Sequence, residues 1–76
     1  MSKPNIHTTY NTAEKNWRNI SEGATRPMAT YPTKQEAVAA GREIAMQRHV
    51  EQLIHDKNGQ IKDRNSYGHD PRNIKG

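Results

Sequence analysis

The chain has 76 residues, a formal net charge of +4 and no cysteine. That length supports one domain whose core contributes only about 3–5 kcal/mol, and the missing thiols exclude disulfides and cysteine metal sites. Nine residues are Leu, Ile or Val and none is Phe, so the core must be thin; the low net charge, one Trp and three Tyr still point to a folded centre rather than a disordered polyelectrolyte.

The first residues, Met1 to Asn5, are polar and broken by Pro4, and read as a mobile end with no apolar region of a secretion signal. Ile6 to Tyr10 is β-branched and aromatic and suits a strand. A polar turn over Asn11 to Asn16 leads into Trp17-Arg18-Asn19-Ile20, which completes a first hairpin. Gly23 ends that strand, and Arg26 to Tyr31 reads as a third, which has an edge or begins beside Pro27 because Pro27 has no amide to donate.

The firmest boundary is at Thr33. Thr33-Lys34-Gln35-Glu36 fits the capping box that opens a helix. At about 100° per residue, Ala37, Val38, Gly41, Ile44 and Ala45 fall on one side, a stripe of small residues that predicts close approach to a sheet at Gly41. The alternative is an ordinary tolerated glycine. The helix is expected to fade between Gln47 and His49, where Arg48 and His49 complement its negative end.

Two strands then flank Asn58-Gly59, a strong hairpin signal because both residues tolerate positive φ. The register has two solutions. A two-residue turn puts Ile54 and Ile61 on one face, whereas a three-residue loop with a Gly59 bulge groups Leu53, His55 and Ile61. Residues 69–76 read as a polar tail. The expected architecture is one α+β domain over residues 6–68, order β-β-β-α-β-β with β-β-α-β-β as the fallback, its single helix packed on a mainly antiparallel sheet.

Trp17, Gly23-Ala24-Thr25-Arg26, Thr33-Lys34-Gln35-Glu36-Ala37, Gly41-Arg42-Glu43-Ile44-Ala45, Leu53 to Ile61 and the closing Asn65-Ser66-Tyr67-Gly68-His69-Asp70-Pro71 follow one another in a familiar order. Over nearly its whole length the chain resembles the bacterial "domain of unknown function 2188" family. The resemblance implies a small prokaryotic or phage protein and brings no settled activity, cofactor or catalytic residues. Asn19 stands where that family favours an aliphatic residue, and Arg72-Asn73-Ile74 replaces a tail usually richer in Pro and aromatics.

Chemistry-bearing residues are scattered. His49, His55 and His69 with Asp56 and Asp70 lack the i, i+4 spacing that converges on zinc, so no metal or cofactor is expected. His55, Asp63 and Ser66 lack a nucleophile elbow or an oxyanion loop, which argues against a hydrolase. Ser66 to Pro71 reads better as a turn in which Tyr67 fastens the sheet edge than as a recognition loop.

The pI near 9.7 invites a polyanion. Residues 1–47 and 48–76 each carry six Lys/Arg and four Asp/Glu, however, with no basic run. A folded face could gather Arg18, Arg26, Lys62 and Arg64, with Arg48 and Lys57 nearby, for phosphate contacts, while Trp17 or Tyr31 stacks on a base. The expectation is therefore a cytoplasmic, non-enzymatic module for nucleic acid or another polyanion. The competing expectation is a protein-interaction or homodimer module anchored by Trp17, Tyr31 and Tyr67, one form being a phage inhibitor of a host defence enzyme. No apolar run approaches the ~20 residues needed to cross a membrane.

Overall fold

A computed structural model describes residues 3–67. Six elements follow in order: β1 (Ile6–Asn11), β2 (Asn16–Ser21), β3 (Ala29–Tyr31), α1 (Lys34–Arg48), β4 (Glu51–His55) and β5 (Ile61–Ser66). The strands form one sheet in the order β3-β2-β1-β4-β5. Three ladders are antiparallel, and the β1–β4 ladder is parallel because α1 carries the chain across the sheet between them. The expected β-β-β-α-β-β order is the one observed, with β3 at an edge beyond Pro27.

The first hairpin closes because Asn11 Oδ1 accepts from the amides of Ala13 and Glu14, while Lys15 takes a positive φ of 56° and donates its amide to the Asn11 carbonyl. Asn5 lies ahead of β1 yet is tied at both ends. Its Oδ1 accepts from the Glu51 amide and its carbonyl from the Glu22 amide.

The helix starts at its expected cap. Thr33 Oγ1 accepts from the Glu36 amide at 3.2 Å. His49 stops α1 by entering the left-handed region at φ 58°, where its amide reaches the carbonyls of Ala45 and Met46.

The small-residue stripe explains how the layers meet. Ala37, Gly41 and Ala45 are buried against the sheet, with Val38 and Ile44 half-buried beside them. A Cβ on Gly41 would stand 2.6 Å from both Asn19 Oδ1 and Gln52 Nε2 and 3.0 Å from Thr8 Oγ1, so close approach explains this glycine. Beneath it Thr8, Asn19 and Gln52 are fully buried polar side chains from three adjacent strands. Thr8 Oγ1 donates to Asn19 Oδ1 and accepts from Gln52 Nε2; Asn19 Nδ2 donates to the Ala37 carbonyl and Gln52 Nε2 to that of Val38.

This polar belt divides the apolar core. On one side Ile6, Ala45 and Val50 pack with Ile44 and Tyr67. On the other Trp17 meets the Tyr10 ring at 5.1 Å, with Lys34 Nζ 5.6 Å from the Trp17 ring centre. Asn19 is thus accommodated by bonding rather than by apolar packing.

The last hairpin selects the three-residue loop. Gly59 has φ 90° and Asp56 donates its amide to the Gln60 carbonyl at 2.8 Å, so Lys57, Asn58 and Gly59 form the loop. His55 opposes Ile61, on the same face as Leu53 by strand alternation. The ladder then slips by one residue: Ile54 opposes Asp63, Leu53 opposes Arg64, and Lys62 is left in a bulge without a cross-strand partner. The helix packs on β1 to β4 and does not touch β5, every residue of which is exposed. The expected polar tail over residues 69–76, and the turn from Gly68 onward, lie outside the described residues.

Candidate functional site

Strand alternation gives the sheet two different surfaces. Ile6, Thr8, Tyr10, Trp17, Asn19, Gln52 and Ile54 point toward α1. His7, Thr9, Arg18, Ile20, Leu53, His55, Ile61 and Arg64 point to the other side, where no element among the described residues forms a second layer. Leu53 is nonetheless only 5 % exposed, shielded by its neighbours on the sheet, whereas Ile61 is 49 % exposed.

This open face brings Arg18 and Arg64 to the same side, on β2 and β5. Three strand spacings, about 14 Å, separate their strands. Arg18 is half-buried, and its Nε is buried with no acceptor, which lays its stem along the sheet. Arg64 Nε stands 3.7 Å from Glu51 Oε1, an exposed pair of small energetic weight.

Between the two arginines lies a pair of imidazoles. His7 Nδ1 and His55 Nε2 are 2.9 Å apart, their ring centres are 5.1 Å apart and their planes tilt by 40°. The His55 ring is held at its other nitrogen as well. His55 Nδ1 meets the Gly59 carbonyl at 3.1 Å and His7 Nε2 lies 3.7 Å from Glu22 Oε2. Since the carbonyl accepts only, His55 Nδ1 carries a proton and its Nε2 is free to accept from His7 Nδ1. Sequence reasoning passed over His7 altogether. The signal available was strand parity, because His7 and His55 occupy the same sheet face as Arg18.

The ladders do not assign the other expected contacts to this face. Arg26 lies exposed in the β2–β3 loop, and Lys62 is in the β5 bulge. Lys57 Nζ stands 5.0 Å from the Tyr10 ring centre, while Arg48 donates to Ser21 Oγ at 3.4 Å. Trp17, 7 % exposed, lies on the helix side opposite half-buried Tyr31. Tyr67 donates its amide to the Val50 carbonyl and packs against Ile6, Ala45 and Val50, which fastens the chain after β5.

On the helix side, a groove of about 560 Å³ opens beside uncovered β5, with Val38 and Ile54 among its lining and Lys34, Arg42 and Asp63 as its charged groups. Lys34 is already engaged over Trp17. Among the described residues no three His, Asp or Glu side chains gather in a metal-binding group. His55, Asp63 and Ser66 do not converge, since Asp63 opposes Ile54 on the helix side and His55 contacts His7 and Gly59 instead. His69 and Asp70 lie outside the described residues.

The family model described as "Uncharacterized protein conserved in bacteria (DUF2188)" matches residues 6–67, from the first strand to the fastening Tyr67. The chain belongs to this bacterial family. No curated protein and no solved structure matches it. The DUF2188 match therefore covers the sheet, the helix and both arginines of the open face, and brings no activity with it. No helix among the described residues is long and apolar enough to cross a membrane.

Proposed function

We propose that this DUF2188 chain is a cytoplasmic, non-enzymatic binding module for nucleic acid or another polyanion, and that the ligand lies across the open sheet face. The observation that supports this is the placement of Arg18 and Arg64 on one side of the sheet, with Glu51 as the acid paired to Arg64. Phosphate contacts by arginine are bidentate and charge-assisted. Arg26 and Lys62, at exposed positions of a loop and a bulge, add long-range attraction. Trp17, Tyr31 and Tyr67 serve the fold in this reading, since each is buried or half-buried within it.

Fluorescence polarisation with mixed-sequence DNA and RNA oligonucleotides over a salt series tests the proposal. Affinity rises as salt falls, and Arg18→Ala and Arg64→Ala each weaken binding while flattening the salt slope by about one unit. Absence of measurable affinity at low salt would overturn it.

A further inference from the structure

We infer that the open face takes single-stranded rather than duplex nucleic acid, with one base seated on the His7–His55 ring pair between Arg18 and Arg64. The inference rests on the polyanion reading above and specifies its ligand. Its first support is the geometry of the rings. Imidazoles stack on nucleobases as other aromatic side chains do, and stacking is most productive where the ring is already oriented. Here His55 is fixed by the Gly59 carbonyl, His7 lies against Glu22, and the two rings are joined at 2.9 Å. No other aromatic side chain is placed on this face by the β1–β5 ladders, because Tyr10, Trp17 and Tyr31 all point to the helix side.

The second support is the charge around the pair. Arg18 lies on β2 to one side and Arg64 on β5 to the other, so a strand crossing the sheet meets guanidinium, imidazoles and guanidinium in turn, with the Glu22 and Glu51 carboxylates beside His7 and Arg64. Exposed Ile61 and half-buried Ile20 supply apolar surface for a sugar or base edge. The third is size. A five-strand sheet is about 19 Å across its strands, four spacings of about 4.8 Å. The major groove is about 12 Å wide and admits a helix or a two-stranded ribbon. The whole face cannot enter a duplex groove, so its rings reach bases only when those bases are unpaired.

The test compares single-stranded oligonucleotides, the matching duplexes and an abasic strand of the same length, all binding to the wild-type protein at one low salt concentration. Base-bearing single strands are expected to bind about tenfold or more tighter than either of the others. His55→Ala is expected to remove most of that advantage with the salt slope unchanged, and His55→Phe to retain more of it than His55→Ala. Equal or tighter binding of the duplex, or equal binding of the abasic strand, would overturn the inference while leaving a polyanion site intact. Failure of every oligonucleotide to bind would overturn the polyanion reading itself. The abasic comparison uses the unmutated protein, so it stands even where a histidine variant fails to fold.

Discussion

At the scale of single residues, the polar belt is where this small protein is most sensitive. Gly41→Ala gains up to about 1 kcal/mol of helix propensity, but the new methyl group meets Asn19 and Gln52 at 2.6 Å. Both contacted atoms end side chains that are fully buried and hydrogen-bonded, so they can retreat only by breaking bonds. Overpacking of this kind costs about 1–3 kcal/mol, and the expected net result is a loss of about 1–2 kcal/mol in urea denaturation. A stabilised variant would show that the belt yields freely. Asn19→Ala tests the same belt from the sheet side. It leaves the Thr8 hydroxyl proton without its acceptor and removes the side-chain bond to the Ala37 carbonyl, and a loss of about 1–3 kcal/mol is expected in the same assay. Of this arrangement only Gly41 was legible in the sequence. A glycine in the middle of a small-residue stripe announces close approach, but Thr8, Asn19 and Gln52 lie 11 and 33 residues apart along the chain, and propensity says nothing about which strands adjoin.

The elements themselves were largely legible because local chemistry decides them. The Thr33 cap and the Asn58-Gly59 turn signal, of which Gly59 takes the positive φ, fixed where α1 begins and where the last hairpin turns. What the residues could not supply was the slip at Lys62, since a bulge depends on how the partner strand is held. The hairpin also carries the clearest acid-sensitive group. Desolvation pushes the Asp56 carboxyl up, but the amides of Gln60 and Asn58, the charge of Lys62 and the Gly59 amide outweigh it and hold the pKa below its ordinary 3.8. A carboxyl depressed in the folded state stabilises it above the unfolded value, and that contribution disappears as pH falls through the folded value. Asp56→Asn keeps an acceptor for the 2.9 Å and 3.0 Å bonds from Asn58 and Gln60 but cannot titrate. Thermal unfolding is therefore expected to show wild type ahead at neutral pH and the difference shrinking below about pH 4. A constant gap down to about pH 3 would mean that the carboxylate charge contributes nothing.

For the whole molecule, one helix on five strands leaves, among the described residues, both a bare sheet face and an unpaired edge at β5, and the edge raises the question of self-association. Which side chains share the bare face follows from strand order and parity together, and only parity is local, so His7 was passed over although it lies on the same face as Arg18. The same parity argument bears on the edge. Two copies of β5 pairing antiparallel about a two-fold axis must oppose residues that point to the same side, which centres the pairing on a residue facing its own copy. Centred on Asp63, two carboxylates meet and Lys62 opposes Arg64; centred on Arg64, two guanidiniums meet. Like charges directly opposite destabilise a ladder, and the bulge at Lys62 bends the edge further from a pairing geometry. The wild-type protein is thus expected to scatter light as a monomer across micromolar concentrations. Asp63→Thr with Arg64→Thr removes both repulsions while keeping β propensity, and the double variant is expected to dimerise or aggregate as concentration rises. A wild-type dimer that the double substitution leaves unchanged would show that self-association uses a surface other than β5.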